Sequence, residues 1–427
     1  MASTWLKIRE KPFFYAVAAL LVGLAIHAPF ITLSNHLLDT FDGVGPPEWY
    51  LEADVLGLFL RMWKELLLGV LVLFSIKPFF KKKLYQNRIV QAVLAYIAWT
   101  LLYAGIFWNG LPTIAGLRYN LGMFVVFLVV VSLGRKQWQK PLEKLILWLG
   151  GIVAASALLQ LILPPELFAF DIINVGENVG TIQDSDIRRM HGFMPGPLQL
   201  GSYLILPLAL GFQRALKKFQ REWLLYSGLL VFAIYLSYSR AALLAAGMVV
   251  FLLPFLKYRQ HFTLRRLVYG GLALYSLGVV TIMLAFTWEP LSLLVFHAEP
   301  ERAFFESSTV SHFKGAGESL QKIAAQPLGY GLGVTGPASN FGQIGSSSES
   351  NILQIAEEVG LIGVTLFFVV LLGIANNLKS KKPALIAALA GLMLMSLVLH
   401  TLIDTVTMWS MMALGALCVR EKKRQLI

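Results

Sequence analysis

Charge is scarce in this chain and cysteine is almost missing. Cys418 is the single cysteine among 427 residues, so no disulfide can close within the chain and the redox compartment leaves no mark on it. Charged residues make up 14% of the sequence, against roughly 25% in an ordinary water-soluble domain. That deficit excludes a fold solvated by water alone. Neither His-x-x-x-His nor Cys-x-x-Cys spacing occurs among His27, His36, His191, His261, His297, His312, His400 and Cys418, which argues against a zinc centre. A P-loop and a G-x-S-x-G elbow are also missing, and with them the usual signatures of nucleotide and serine hydrolysis. No internal repeat of the inverted-repeat transporter kind is visible.

What is abundant is apolar. Hydrophobic residues reach 57% and the mean hydropathy is +0.67. Apolar runs of about 20 residues, the length needed to cross a bilayer as a helix, recur along the whole chain. They are long and do not alternate, so they read as helices rather than barrel strands. The pattern predicts an all-α polytopic membrane protein, a single membrane domain over 1–427. Twelve spans are expected, at about 12–33, 55–76, 89–108, 113–133, 145–164, 197–213, 223–239, 240–256, 267–287, 352–376, 384–400 and 403–419. The first lacks a small-residue cleavage site and is expected to stay as an anchor.

The net charge of +12 is distributed as a topology signal. With both termini cytoplasmic, every inside segment is basic: Lys7 to Lys11, Lys77 to Arg88, Arg135 to Lys144, Arg214 to Arg221, Lys257 to Arg266, Lys379 to Lys382 and Arg420 to Arg424. One orientation satisfies the positive-inside bias at each loop. The cations therefore need no nucleic-acid partner. Only Arg61, Lys64, Arg118, Arg188, Arg189, Arg240, Arg302, Lys314 and Lys322 fall elsewhere, and each of these needs a reason of its own.

Three expected outside segments, 34–54, 166–196 and 288–350, exceed the length of simple connections. The last, before span ten, is the largest and reads as a lid or substrate region. Arg188 and Arg189 lead through His191, Gly192 and Pro195 into span six, while Arg240 stands at the tight outer junction of spans seven and eight. Guanidinium groups on rigid helix ends suit bidentate capture of a phosphate or diphosphate; lipid-headgroup anchoring is the competing reading. Arg118 is expected just before span four, within reach of the same site, and His191 beside the arginine pair could assist it. Gly329, Gly331 and Gly333 alternate along a tract that could cradle a ligand. The serines at 346–348 and Ser350 read as an N-cap for the next helix. Glu349 follows, either as a capping carboxylate or as a general base at the edge of an apolar chamber. Glu358 reads as structural. In span two, Arg61 and Glu65 are spaced to neutralise each other at i,i+4.

Three of these pieces, in order, resemble the bacterial O-antigen polymerase and O-antigen ligase superfamily. The segment from Arg189 to Leu200 is similar to that family's arginine-led Gly-Phe-Pro approach to a span, and Ser239-Arg240 is similar to its S-R at an outer helix start. Gly329 to Gly333, with Glu349 to Gly363, is similar to its G-x-G-x-G … H-N-x-x-L-Q-x-x-x-E-x-G-x-x-G pattern. Glu349 stands where the ligases carry histidine and Ser350 where they carry asparagine, which is more like the polymerases. The resemblance covers roughly the C-terminal 240 residues and implies an inverting glycosyl transfer without metal or other cofactor. Its donor and acceptor would be saccharides on undecaprenyl diphosphate. Arg189 and Arg240 would hold the diphosphate, with Arg188 or Arg118, and Glu349 would serve the acceptor hydroxyl. His191, Gly331, Gly333 and Ser350 would line the substrate site. It further implies the bacterial inner membrane, a periplasmic active face and a chain-length regulator as partner. Ligation of polymer to lipid A core, or transport of lipid-linked saccharide, are the alternatives.

Overall fold

A computed structural model describes residues 2–26, 28–29, 55–163, 188–218, 220–258, 276, 280–281, 283–295, 308–341, 350–378, 382–402 and 405–419. Within them the chain is helical throughout and contains no β-strand. In chain order the helices are α1 (Ala2–Ala25), α2 (Val55–Lys81), α3 (Arg88–Ile106), α4 (Leu111–Leu133), α5 (Gln139–Leu159), α6 (Pro197–Lys218), α7 (Arg221–Leu236) and α8 (Arg240–Tyr258). They continue with α9 (Glu289–Val295), α10 (Ser308–Ala325), α11 (Asn351–Leu378), α12 (Pro383–Ser396) and α13 (Thr405–Val419).

Each expected span except 267–287 has a helix over it; 267–287 lies largely outside the described residues. Among the described residues, five helical stretches are long and apolar enough to cross a membrane: Arg88–Ile106, Leu111–Leu133, Lys136–Leu159, Arg240–Tyr258 and Asn351–Leu378. The sequence pattern predicts twelve. The difference arises partly from length: α7, α12 and α13 hold 16, 14 and 15 residues, short of the roughly 20 that a perpendicular crossing needs.

Local chemistry accounts for several boundaries. The Asn87 side chain caps α3 by accepting from the amides of Ile89 and Val90 at 2.9 and 3.4 Å, which satisfies donors that a helix start leaves open. Gly110, at φ +64, turns the chain into α4, and Pro112 occupies its first turn.

The bundle is organised around α13, which packs against α1, α4, α5, α6, α11 and α12. Its side chains from Thr407 to Val419 are all buried. Small residues set the spacing, as they do where helices associate by close packing rather than by expelling water. A Cβ on Gly391 would lie 3.0 Å from the Ala245 carbonyl oxygen, one on Gly201 would lie 2.5 Å from the Ala242 Cβ, and one on Gly150 would lie 2.4 Å from Pro207. Many large apolar side chains face outward along the helices. Leu73, Leu225, Leu244 and Leu372 are 64–70% exposed, as befits a surface whose solvent is lipid.

Candidate functional site

Arg189 and Arg240 come together at the end of the bundle where α5 and α7 finish and α8 begins. The segment 188–196 is pinned there from several sides. The amide of Met190 donates to the Leu236 carbonyl at 2.9 Å. The amides of His191 and Gly192 both donate to Gln160 Oε1, at 2.9 and 3.0 Å, and that of Phe193 donates to Ser156 Oγ at 3.1 Å. Gly192 is required by this arrangement: its φ is +55, and a Cβ would fall 2.3 Å from Ser156 Oγ. Across the junction Tyr238 adopts φ +49, a left-handed conformation that costs a bulky residue energy and concentrates at functional places.

Arg189 Nε donates to the Ser237 carbonyl at 3.1 Å, and Arg240 Nη1 donates to the Val295 carbonyl at 2.7 Å. Both guanidiniums are mostly withdrawn from solvent. Burial, reinforced by the nearby Arg240 charge, lowers the Arg189 pKa to about 10. Two like charges held in mutual range in a poorly hydrated pocket repel one another, and an anion between them would relieve that repulsion. Arg188 lies beside them, half-buried. The buried His191 imidazole has its pKa lowered by burial, with a smaller push from Arg188. Its Nδ1 sits 3.1 Å from the Met194 carbonyl, a contact that needs the proton on Nδ1 and leaves Nε2 as the acceptor.

His312 of α10 also belongs here. Burial and the Arg240 charge lower its pKa, so it is neutral near pH 7. It stands at no metal-ligand spacing in the chain, and its proximity to Arg240 has no local signal. Running along the bundle from this end is an apolar groove of about 490 Å³ between α6, α7 and α8, lined by Leu208, Phe212, Val231, Tyr235 and Leu243. Leu243 is one helical turn from Arg240.

The expected cradle at Gly331 and Gly333 is occupied by protein. Gly329, Gly331 and Gly333 have φ of +90, +104 and +77. A Cβ on Gly331 would lie 2.5 Å from Phe107, and one on Gly333 would lie 2.2 Å from the Pro112 carbonyl oxygen. The tract packs into a break in α11, where Gly360 adopts φ 72 and ψ 178. The carbonyls just before that break find new donors: the amide of Tyr330 for Glu357 at 2.7 Å, that of Gly331 for Glu358 at 3.0 Å, and Trp99 Nε1 for Val359 at 2.8 Å.

Arg118 is placed differently from expectation. It lies inside α4, and its Nε forms an ion pair with Glu65 Oε1 at 2.6 Å; its guanidinium also lies 5.6 Å from the Tyr119 ring. Glu65, expected to pair with Arg61, thus has an interhelical partner in Arg118; the Arg61 side chain lies outside the described residues. Ser350 is the N-cap of α11: its Oγ accepts from the Leu353 amide at 3.4 Å and donates to the Ser396 carbonyl at 3.2 Å. Glu349, the residue before it, lies outside the described residues, as do Ser346 to Ser348.

Among the described residues no three His, Cys, Asp or Glu side chains converge in a way that would hold a metal ion. Comparison of the sequence with protein-family models and with curated proteins finds no match.

Proposed function

We propose that the protein is an extracytoplasmic glycosyltransferase that polymerises undecaprenyl-diphosphate-linked repeat units into a surface polysaccharide, O-antigen or exopolysaccharide. The observation that carries this reading is the Arg189–Arg240 pair, two largely buried guanidiniums at a helix junction, with an apolar groove nearby whose lining reaches Leu243, one turn from Arg240. A diphosphate on a polyprenyl chain matches both halves of that site, charge above and hydrocarbon below. The sequence motifs around Arg189, Arg240 and Glu349 point the same way.

In this reading the chain crosses the bacterial inner membrane twelve times with both termini cytoplasmic, and the arginines face the periplasm. The acceptor hydroxyl oxygen attacks the donor's anomeric carbon on the face opposite the diphosphate. Its proton passes to Glu349 as the glycosidic bond forms. The bond from the anomeric carbon to the diphosphate oxygen breaks, and undecaprenyl diphosphate leaves with its charge stabilised by Arg189 and Arg240. Arg188 and His191 line the same pocket, and the 288–350 segment closes over it. A chain-length regulator is the expected protein partner.

Purified protein incubated with lipid-linked repeat units, with and without chelator, should produce a ladder of polymer in both conditions. No ladder from active-membrane preparations, or a ladder unchanged by Arg240→Ala, would falsify the assignment. A second reading, transport of the lipid-linked saccharide, is favoured by the break in α11 at Gly360 with the buried acid Glu358 beside it, since discontinuous helices mark transporter sites. Flux of substrate across proteoliposomes without new glycosidic bonds would select it.

A further inference from the structure

Glu358 is fully buried, 0% exposed, in a helix long and apolar enough to cross a membrane. Charge in such a place is expensive and calls for a specific partner set. Here the partners are neutral N–H groups from three separate elements. Asn120 Nδ2 of α4 donates to Oε2 at 2.8 Å. The Gly333 amide of the glycine tract donates to Oε1 at 3.1 Å, and Gln354 Nε2, one turn back on α11, donates to the same oxygen at 3.3 Å. Glu358 forms no ion pair among the described residues. The orientation of the Asn120 amide is set in turn: Tyr96 Oη of α3 donates to its Oδ1 at 3.2 Å, and Nδ2 also donates to the Gly116 carbonyl at 2.9 Å.

The position of this carboxylate along α11 gives the cluster its consequence. The non-helical Gly360 separates the first part of the helix, Asn351 to Val359, from the remainder, so the rigid rod does not pass through. That first part is tied at its start by Ser350 Oγ to the Ser396 carbonyl at 3.2 Å and by Asn351 Oδ1, which accepts from the Leu402 amide at 2.8 Å. At its other end Glu358 makes a side-chain tie to α4 and the glycine tract, beside the bond from Trp99 Nε1 to the Val359 carbonyl and the Lys322–Glu357 ion pair at 3.8 Å. Eight residues, about 12 Å at 1.5 Å per residue, separate Glu358 from Ser350.

We propose that Glu358 is a positioning residue, whose carboxylate clamps the first part of α11 to α4 and to the glycine tract and thereby fixes where Ser350 and the adjoining Glu349 are presented. The geometry stands by itself; its catalytic consequence rests on the glycosyl-transfer reading. A carboxylate is suited to the role because all three donors are N–H groups. A glutamine supplies one acceptor oxygen and sets its own NH₂ against one of the donors, so an unmet buried group results.

The test uses full-length protein in nanodiscs, as wild type, Glu358→Gln and Glu358→Ala, with two readouts. With lipid-linked repeat units, kcat should fall by about 10-fold in E358Q and about 100-fold in E358A, the scale of a misplaced reacting group. The donor KM should stay within about 3-fold, because the arginine pair that binds the donor is not touched. In hydrogen exchange, the amides of 328–333 and 351–359 should open faster in both variants while those of 405–419 stay protected. An unchanged kcat, unchanged exchange, or a uniform rise in exchange with loss of donor binding would each overturn the proposal, the last by showing general unfolding. If wild type makes no polymer, the glycosyl-transfer reading fails, and the exchange pattern alone then decides the clamp. Should E358A fail to accumulate, Asn120→Ala removes one of the three bonds and is read in the same two ways.

Discussion

Glu358 and Arg189 are both charged side chains withdrawn from water among apolar helices, yet their surroundings differ in kind. The carboxylate accepts from three N–H donors supplied by α4, α11 and the glycine tract. The guanidinium carries five N–H groups and, among the described residues, makes one hydrogen bond, to Ser237, while facing a second arginine. One site is closed over by the protein's own groups and therefore holds structure together. The other sets two like charges close together, near an apolar groove that reaches Leu243, and is suited to receive an anion. A buried charge thus reveals its task less by its burial than by how completely the fold answers it.

The largest expected effect lies at the open site. Arg189→Ala and Arg240→Ala should each reduce polymer formation by about 10²–10³-fold, the cost of removing a donor aimed at developing negative charge. Melting temperatures should move little. Retained polymerisation in either variant would erase the contrast between the two sites.

Next comes the closed site, probed at its backbone. Gly333→Ala forces a Cβ to within 2.2 Å of the Pro112 carbonyl at φ +77, so a loss of about 2–4 kcal/mol is expected from strain and overpacking. Thermal unfolding in detergent reads this directly. A variant as stable as wild type would mean that the tract is looser than its packing implies.

Arg118 offers a smaller and sharper comparison, a cation already answered by Glu65. Because the pair is partly exposed, Arg118→Ala should cost no more than about 1 kcal/mol of stability and should leave polymer yield within a few-fold. A tenfold loss of activity with donor KM raised would place Arg118 in the donor site after all.

The smallest effect concerns pH. His191 and His312 have pKa values lowered below the ordinary 6.5, so the folded chain keeps both imidazoles neutral where the unfolded chain takes up protons. Their contribution to stability is complete above about 6.5 and is lost as pH falls from there through the lowered values. Melting curves between pH 8 and 5 should show that decline, and His191→Gln should flatten part of it. A decline that begins at higher pH would assign it to other groups.

Much of the helical framework was legible because hydropathy and capping are local signals. Gly110, Pro112 and Asn87 announce their helix ends within a few residues. The number of helices able to cross a membrane was less legible, since an apolar run shows no sign of where a short helix such as α12 will stop. The arginine pair was anticipated from Arg189 and Arg240 standing outside the basic-loop pattern. His312 was not, nor was Asn120, although an amide within an apolar run is a usable signal in retrospect. Glu358 reads as structural from the sequence, but its partners are out of reach of any spacing rule.

The amino-acid sequence by itself determined that the chain would form apolar helices, where most of them would lie, and which cations stood apart from the rest. Those outcomes follow from composition and short-range periodicity. Only the tertiary structure decided that Glu65 would pair with Arg118 on a facing helix, that the glycine tract would fill the break at Gly360, and that Glu358 would meet Asn120 across 238 residues of chain. Such pairings depend on which helix faces come into contact, and that choice belongs to the packed bundle as a whole.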